Sequence, residues 1–501
     1  MAKSTLDKDL GKLDRLQTAT YSLSRNIATP GLVLVFFIGA ITVANLFVVD
    51  GPLSYLVIAG AVVAAYMALN IGANDVANNM GPAVGSRALT LGGALVIAGF
   101  CEVSGAVLAG GDVVNTISSS LLKPPETVGA LQFILVMMAA LLAAAMWIHL
   151  ATFLSAPVST THSVVGGVVG AGVAAFGVGA VSWAMIGAIV ASWVISPALG
   201  GMIAALLLGF VKWAILFRED RIESARRWVP VLVGLMTGVF AMYLASKGFS
   251  RVWRPSGLTV LALGCIFFGL GYATSRPWVR RRSVGMENRR KHVAGLFTAP
   301  LVIAAALLSF AHGANDVANA VGPLAAIVAA AETGGADVTR VALPMWILLI
   351  GAVGIAVGLG LFGPRLIRMV GQKITRMDAI RAYCVALAAA ITVLLASALG
   401  LPVSSTHIAV GAVFGVGFLR EFITNKGVKN PAVQPRALFL DVSRLNKTAE
   451  EAVANAVKRE RRRLVRRQHL AGIAAAWVIT VPAAGLLAGG LYLLLSVVAA
   501  F

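Results

Sequence analysis

Two short polar segments interrupt the apolar runs of this chain, and the first contains a carboxylate. The segment IGANDVANNMG places Asn74, Asp75 and Asn78 directly after the apolar run LVIAGAVVAAYMALN. An ionised Asp at the centre of a bilayer costs about 3 kcal/mol, so Asp75 needs a partner that offsets this cost. Side chains three and four residues apart on a helix are neighbours. Their Asn and Asp oxygens form a hard site suited to an alkali cation or a proton.

The second polar segment, SAPVSTTH, combines a helix-breaking Pro157 with the hydroxyls of Ser159, Thr160 and Thr161. Proline near the first turn of a helix is a start signal, so these hydroxyls lie at or near a helix N-terminus. The unpaired N–H groups and the positive dipole end there favour an anion. The alternative is that the hydroxyls cap the helix or bond to carbonyls one turn back.

Both segments occur twice, in the same order. HGANDVANAVG repeats the first with an offset of 315 minus 74, or 241, and LPVSSTH repeats the second with an offset of 407 minus 162, or 245. The second copies add Asn315, Asp316, Asn319, Ser404, Ser405 and Thr406. Repetition of the carboxylate favours ligand binding over a polar clamp between helices. For His162, His312 and His407 we expect a hydrogen-bonded packing or orienting role.

The composition places these segments in a membrane. Of 501 residues, 58% are hydrophobic and 12% charged, with a mean hydropathy of +0.87. Cys101, Cys265 and Cys384 have no paired spacing, so no disulfide or thiolate metal site is expected. Runs of about 18 or more apolar residues can cross the hydrocarbon as helices. We count thirteen, near 30–49, 55–79, 90–110, 130–154, 157–178, 182–210, 229–246, 256–274, 295–329, 343–362, 378–400, 402–419 and 471–497.

The basic residues lie in a few loops between the apolar runs, which argues against nucleic acid as a partner despite the net charge of +20. The positive-inside rule places loops 212–228, 276–292, 365–381 and 420–467 in the cytoplasm. The helices that carry Asp75 and Asp316 then run in opposite directions. The N-terminus is expected in the cytoplasm, with no removable signal peptide, and the C-terminus in the periplasm.

We therefore predict an all-α polytopic membrane protein with two inverted five-span repeats and broken helices at mid-membrane, an arrangement typical of secondary transporters. An extra N-terminal helix and a connecting helical hairpin complete it. The expected units are 1–54 (N-terminal segment and extra helix), 55–210 (first repeat), 211–294 (basic loops and hairpin) and 295–497 (second repeat, with a cytoplasmic basic segment at 420–470).

The motifs GANDVANN, HGANDVANA, PVSTTH and PVSSTH resemble the signatures of the inorganic phosphate transporter (PiT) family, over about residues 55 to 497. The resemblance implies a homodimeric carrier in the lipid bilayer that couples phosphate uptake to Na+ or H+, without an organic cofactor and without enzymatic activity. By position, it assigns Asp75, Asp316, Ser159, Thr160, Ser404 and Ser405 to phosphate, to which we add Thr161 and Thr406. It assigns Asn74, Asn78, Asn315 and Asn319, with neighbouring Asp and Thr oxygens, to the cation.

An acidic residue beside an anion is explained by the protons of the substrate. Phosphate near neutral pH carries P–OH donors that the carboxylates of Asp75 and Asp316 can accept, whereas sulfate has none and is expected to be rejected. Intact GANDVAN in both halves favours Na+ over H+, because proton-coupled relatives carry altered signatures such as GFHDTAN in the first copy. Glu102, within the run AGFCEVSGAVLAG, is a candidate for the cation path or gating, or a buried packing partner.

The sequence leaves two other functional hypotheses open. One is a symporter of sulfate or another oxyanion. The other is an intramembrane hydrolase built on Ser159 or Ser404, which is disfavoured because no nucleophile elbow is visible and both halves repeat the same residues. The expected location is a bacterial inner membrane, and the basic segment 420–470 is expected to be a solvated loop rather than a surface helix.

Overall fold

The computed structural model describes residues 28–48, 50–154, 158–250, 253–335, 343–369, 377–425 and 467–499. These residues form helices and turns, with only two isolated β-bridges, Leu122 to Val181 and Gly129 to Gly335. Pro157 and most of the basic segment 420–470 lie outside the described residues, so the expectations for them are not addressed below.

The helices follow one another with short connections. In chain order they are α1 (Ala28–Phe47), α2 (Ser54–Asn74), α3 (Val76–Gly85), α4 (Leu91–Ala109), α5 (Gly111–Asn115), α6 (Ala130–Phe153), α7 (Thr160–Phe176), α8 (Trp183–Val211), α9 (Arg221–Tyr243), α10 (Gly257–Arg282), α11 (Arg290–Leu296), α12 (Thr298–Thr333), α13 (Met345–Met369), α14 (Ala379–Ala398), α15 (Ser405–Asn425) and α16 (Arg467–Ala499). Single π-helical turns extend α5 (Thr116–Ser120), α8 (Lys212–Leu216) and α9 (Leu244–Gly248).

All thirteen predicted segments are helical. Twelve helical spans in the described part of the chain are long and apolar enough to cross a membrane, and the thirteenth segment is the shorter α7. With 17 residues, α7 rises only about 25 Å, less than the ~30 Å hydrocarbon thickness. It falls short because Thr160, its first residue, is buried in the protein interior.

The two repeats interlock rather than standing side by side. Helix α2 packs on α13 of the other repeat while α12 packs on α4, and α7 packs on α16 while α15 packs on α8. Each crossing contains a glycine against a backbone carbonyl. A Cβ on Gly72 would overlap the carbonyl oxygen of Ile355, and one on Gly313 would overlap that of Glu102. Small residues of this kind let membrane helices approach closely.

The other two crossings also place a glycine against a backbone carbonyl, and they reveal a third repeated segment. A Cβ on Gly170 would overlap the carbonyl oxygen of Gly485, and one on Gly415 would overlap that of Gly201. Gly201 and Gly485 are therefore counterparts, with an offset of 485 minus 201, or 284. The segments that end there, SWVISPALGG and AWVITVPAAG, align in α8 and α16, a repeat that the sequence analysis missed.

The helix interruptions lie at other positions than the Gly-Pro pairs. One break separates α2 from α3 at Asp75, where the N–H of Asn78 bonds to the Asp75 carbonyl three residues back, at 3.0 Å. Pro82 lies inside α3 and Pro323 inside the uninterrupted α12. By residue type, Gly72, Gly81-Pro82 and their counterparts could interrupt regular helix, but they lie within helices, and Gly72 and Gly313 serve close packing instead.

Gly415→Ala should destabilise the protein because α15 would have to move away from α8. Overpacking a well-packed contact typically costs about 1–3 kcal/mol, and a backbone carbonyl cannot rotate aside as a side chain can. We expect a lower midpoint of thermal unfolding in detergent. Gly269→Ala is the matched control, since nothing lies within 4 Å of a Cβ there. Equal midpoints for both variants would contradict the close-packing role.

An ion-pair cluster joins α11 and α14 at the basic end of the bundle. Asp378 caps α14 by accepting from the backbone N–H of Arg381 at 3.0 Å, and it also contacts the guanidinium groups of Arg381 (3.1 Å) and Arg290 (3.0 Å). Burial raises the pKa of Asp378, but the charge and hydrogen bonds of Arg381, together with the charge of Arg290, lower that pKa below its ordinary value.

Asp378→Asn should weaken this cluster in a pH-dependent way. The lowered pKa means that the ionised carboxylate stabilises the folded state above its unfolded pKa of about 4, and that this stabilisation is lost as the pH falls through the folded pKa. Asn keeps the cap and removes the charge, so we expect a loss of about 0.5–1 kcal/mol at neutral pH. Unfolding midpoints of the variant and the parent should converge on acidification; a constant gap would contradict the assignment.

Candidate functional site

The two repeated carboxylates meet in the interior. Asp75 lies at the break between α2 and α3, Asp316 lies near the middle of α12, and their side chains are 2% and 1% exposed. One oxygen from each and one ring nitrogen of His312 all lie within 4.8 Å of one another. The inverted repeats therefore bring their equivalent residues to one shared site.

Hydroxyl groups from both repeats surround Asp75. Thr160, at the start of α7, donates to Oδ2 at 3.1 Å, and Thr406, in the first turn of α15, donates to Oδ1 at 3.2 Å. The side-chain amide of Asn74 lies 3.3 Å from Oδ1. Asp75 thus has two charge-stabilising hydroxyls without any basic side chain in contact.

Asp316 has a different environment. Ser405, the counterpart of Thr160, donates to its Oδ2 at 3.5 Å, and the Nε2 atom of His312 lies 3.0 Å from the same oxygen. The His312 contact is within ion-pair distance but does not meet the angles of a hydrogen bond. The other carboxylate oxygen, Oδ1, is buried without a protein partner.

Two asparagines occupy equivalent positions one turn further along. Asn78 donates to the Thr406 hydroxyl at 2.9 Å, and Asn319 donates to that of Thr161 at 3.1 Å, with Thr160 at 3.4 Å. The amide nitrogens therefore face the hydroxyls. The carbonyl oxygen of Asn319 is buried without a hydrogen-bond partner, so it remains available to a ligand.

The asparagines that precede the two carboxylates have the following contacts among the described residues. Asn315 is fully engaged with the turn between α14 and α15: its amide donates to Ser397 Oγ (2.9 Å) and the Leu401 carbonyl (3.1 Å), and its oxygen accepts from the Val403 N–H (3.1 Å). Asn74 contacts Asp75. The structure thus places Asn315 on the turn rather than facing Asp75, and its assignment to a cation stays a prediction.

Two helix N-termini converge on this site. Ser159 and Ser404 cap α7 and α15 by accepting from the N–H groups of His162 and His407, both at 3.3 Å. The capping alternative is therefore seen for these two serines, although each hydroxyl can still donate its hydrogen. The imidazole rings of His162 and His407 lie 4.9 Å apart, so the two histidines pack the helix starts together.

Glu102 belongs to the site through His312. Its Oε2 lies 2.6 Å from Nδ1 of His312, its Oε1 accepts from the Asn79 amide at 3.1 Å, and its side chain is fully buried. His312 therefore bridges Glu102 and Asp316. The sequence pattern predicts a hydrogen-bonded histidine here, but it does not identify these partners, since Glu102 is 210 positions away from His312 along the chain.

This bridge exists on one side of the pseudo-symmetric site only. By the repeat offset of 241, the counterparts of His312 and Asn79 are Ile71 and Ala320. The counterpart of Glu102 is Ile355. Gly313 packs against the carbonyl of Glu102, and Gly72 packs against that of Ile355, at equivalent helix crossings of the two repeats. A comparison of the two copies of GANDVAN could have found this asymmetry from the residues before and after each motif.

The ionisable groups leave an excess of negative charge. Asp75, Glu102 and Asp316 bear three charges when ionised, and a protonated His312 offsets one of them. Two unit charges within 4.8 Å repel by about 3 kcal/mol or more at an effective dielectric constant of ~20. The arrangement is therefore suited to hold cations or protons, while the hydroxyls and helix N-termini are suited to an anion beside them.

The chain is similar to known proteins over most of its length. A model described as the phosphate transporter family matches residues 71–488. A "putative phosphate permease" of Helicobacter pylori is 42% identical over 97% of this chain and 98% of its own length. One from Thermococcus kodakarensis is 39% identical over 71% of this chain and 86% of its own. A solved structure described as the sodium-dependent phosphate transporter has a TM-score of 0.76 and 32% identity, covering 88% of this chain and 99% of that one.

Glu102 and His312 should behave as a coupled pair. Glu102→Gln or His312→Gln alone removes one side of a buried contact, which costs about 3–5 kcal/mol because a charge is left without its partner. The double variant should be more stable than the sum of the two single effects predicts. Thermal unfolding in detergent measures this, with the exposed Glu126→Gln as the control. Additive losses would show that the two groups do not interact.

Proposed function

This chain belongs to the phosphate transporter family, and from that premise we propose that it imports inorganic phosphate by symport with Na+. The phosphate would lie between the paired carboxylates and the two hydroxyl-rich helix starts. The proposed phosphate contacts are Asp75, Asp316, Ser159, Thr160, Thr161, Ser404, Ser405 and Thr406. The proposed cation contacts are Asn74, Asp75, Asn78, Asn315, Asp316 and Asn319.

One observation supports the cation site most directly. The Oδ1 atoms of Asp316 and Asn319 are buried without hydrogen-bond partners, and they belong to residues three apart on α12. A buried oxygen without a donor costs about 1–3 kcal/mol. Native structures retain such atoms where a ligand satisfies them. A hard cation prefers oxygen ligands of this kind. A bound Na+ would therefore satisfy both oxygens without using a hydrogen-bond donor of the protein.

The phosphate site follows from the groups that Asp75 now engages. Thr160 and Thr406 donate to its two oxygens. A protonated phosphate offers P–OH donors of its own, so it can replace these hydroxyls as the partner of the carboxylate. The released hydroxyls, and the N–H groups at the starts of α7 and α15, then face the phosphate oxygens.

Charge balance makes the cation necessary for phosphate binding. With its carboxyl groups ionised, the site has an excess of negative charge, and phosphate adds one or two more charges. Without a bound cation, each added charge would meet a repulsion of about 3 kcal/mol from the nearest carboxylate. Symport is then the physical condition for occupancy. We propose Na+ rather than H+ because oxygen atoms of Asp316 and Asn319 lack hydrogen-bond partners among the described residues, and because the similar solved transporter is sodium-dependent by description.

The rival functions meet specific obstacles. Family and fold are those of a transporter rather than an enzyme, which sets aside a hydrolase built on Ser159 or Ser404. A sulfate carrier would leave Asp75 and Asp316 facing an anion without a proton to share. A site with two such acceptors is expected to disfavour it by several kcal/mol.

We propose a cell inner membrane as the location, with the N-terminus in the cytoplasm and the C-terminus in the periplasm. Large apolar side chains of α10, such as Leu258, Leu261 and Ile266, are more than half exposed and would face lipid. The homodimer implied by the family resemblance stays part of this proposal.

Asp75→Asn and Asp316→Asn should each abolish transport. The loss of one carboxylate removes a cation ligand and a P–OH acceptor, and about 3 kcal/mol corresponds to a rate lower by about a hundredfold. The measurement is uptake of radiolabelled phosphate into proteoliposomes under an imposed Na+ gradient or an imposed pH gradient. Asp220→Asn is the control, because Asp220 only caps α9 at the surface.

The same assay decides between the proposals. Uptake driven by the pH gradient alone would replace Na+ with H+. Labelled sulfate that enters without competition from phosphate would overturn phosphate as the substrate. Unchanged uptake by both Asn variants would overturn the role of the paired carboxylates.

A further inference from the structure

A second polar cavity opens at the end of the bundle opposite the basic loops. It has a volume of about 350 Å³ and is lined by residues from the ends of α4 and α9, the short α5 and the start of α13. Its polar lining residues are Asp112, Asn115, Lys247, Ser250 and Arg254. We call it the outer vestibule, because the positive-inside rule places this end outside the cytoplasm.

The charges of the outer vestibule favour an anion. Lys247 Nζ forms an ion pair with Asp112 Oδ2 at 2.7 Å, which neutralises the carboxylate. Arg254 is exposed and adds a positive charge. Among the described lining residues the net charge is therefore +1, with the side-chain amide of Asn115 as a further donor. The Ser250 hydroxyl already donates to the Lys247 carbonyl at 2.8 Å. Arg254 and Lys247 both line the cavity, and guanidinium and ammonium groups commonly bind tetrahedral oxyanions.

Two π-helical turns shape the cavity. Lys247 lies in the turn Leu244–Gly248 that ends α9, and Asn115 directly precedes the turn Thr116–Ser120 that follows α5. Each turn widens its helix at the point where a polar side chain enters the vestibule. Single π-helical turns in other proteins are often found at functional sites.

The turn between α14 and α15 packs against residues at and next to the outer vestibule. Thr116 donates to the Gly400 carbonyl at 2.7 Å, and a Cβ on Gly400 would lie 3.3 Å from the carbonyl oxygen of Asp112. The next carbonyl, that of Leu401, accepts from Asn315. One short turn therefore contacts Asp112 of the vestibule lining on one side and Asn315, the neighbour of Asp316, on the other.

Side chains from four helical elements hold this turn in place. Thr116 binds the carbonyl of Gly400, Asn315 that of Leu401, Trp193 that of Pro402 (3.1 Å) and Thr161 that of Val403 (3.0 Å). Gly400 has a φ of +67°, a conformation that glycine adopts without strain. In this structure the turn separates the two sites.

We propose that the outer vestibule is a loading site for tetrahedral oxyanions, where Arg254, Lys247 and Asn115 hold phosphate before it reaches the central site. This role rests on the proposed function, since a loading site serves a phosphate carrier. The vestibule has no unpaired carboxylate to accept a P–OH proton. It therefore binds sulfate as well as phosphate, and discrimination occurs only at Asp75 and Asp316.

Binding is tested without transport by thiol labelling. Leu343→Cys places a reporter on the vestibule wall, with Cys101 and Cys265 replaced by alanine and the buried Cys384 retained. Neutral N-ethylmaleimide is used in detergent without phospholipid. Phosphate and sulfate should each slow labelling several-fold relative to chloride, and Arg254→Gln should remove this protection.

The same labelling in the Asp316→Asn background separates the two sites. Protection that persists supports a vestibule site, whereas protection that disappears would assign the signal to the central site and overturn the proposal. No protection by either oxyanion would also overturn it. So would protection that requires added phospholipid, which would identify a lipid headgroup as the ligand.

Transport kinetics provide a second test. Arg254→Gln should raise the KM for phosphate about threefold to tenfold at low ionic strength with an unchanged maximal rate, and the difference should shrink at high salt as charges are screened. Arg254→Lys should restore most of the effect. Arg282→Gln, the same change at the opposite end of the bundle, is the control. A change in maximal rate alone, or no change in KM, would contradict loading.

If the parent protein carries no phosphate, the proposed function fails, while the labelling experiment still decides whether the vestibule binds oxyanions.

Discussion

The structure depends on two like charges held together in an apolar interior. Asp75 and Asp316 come from opposite repeats and approach within 4.8 Å, an arrangement that repulsion and desolvation both oppose. The rest of the bundle keeps them there. Glycines at the interlocking crossings, such as Gly72 and Gly313, let the helices that carry the carboxylates pack closely. The stability of the apolar core thereby holds an electrostatically unfavourable site, which a bound cation would relieve.

Pseudo-symmetry builds the site, and departures from it make the two halves different. Asp75 is stabilised by the hydroxyls of Thr160 and Thr406, whereas Asp316 contacts the imidazole of His312, which Glu102 holds on its other side. Two hydroxyls share a charge without neutralising it, but an imidazolium can. The two carboxylates therefore have different partners, hydroxyls at Asp75 and an imidazole at Asp316. In a symmetric site the two carboxylates would have equivalent environments and could not have different roles.

Hydropathy predicts membrane helices, so the fold class could be predicted from the sequence. The repeated motifs predicted which carboxylates and hydroxyls come together in the candidate site. All thirteen segments are helical, and the fold class is confirmed by the match to a solved phosphate transporter. The pairing of α2 with α13 and of α12 with α4 could not be predicted, since hydropathy says which residues avoid water but not which helix they face. The same limit applies to His312 and Glu102, whose contact depends on how α12 packs on α4. Local rules also misplaced the helix break, because glycine serves both as a breaker and as a close-packing residue.

In the proposed function, substrate choice and ion coupling follow from the same carboxylates. An anion enters an acidic site only if it brings a proton to share or if a cation accompanies it, and protonated phosphate with Na+ satisfies both conditions. The hydroxyls that now donate to Asp75 are the groups that phosphate needs as donors, so the carboxylate and the substrate compete for them. Binding then requires an exchange in which P–OH replaces the Thr hydroxyl at the carboxylate and the Thr hydroxyl turns to a phosphate oxygen. Sulfate can accept a hydrogen bond from the hydroxyl but has no hydrogen to donate to Asp75. The exchange would therefore leave a buried carboxylate without hydrogen-bond donors. Selectivity in this site would thus arise from the hydrogen-bond balance of the empty protein as much as from direct contact with the ligand.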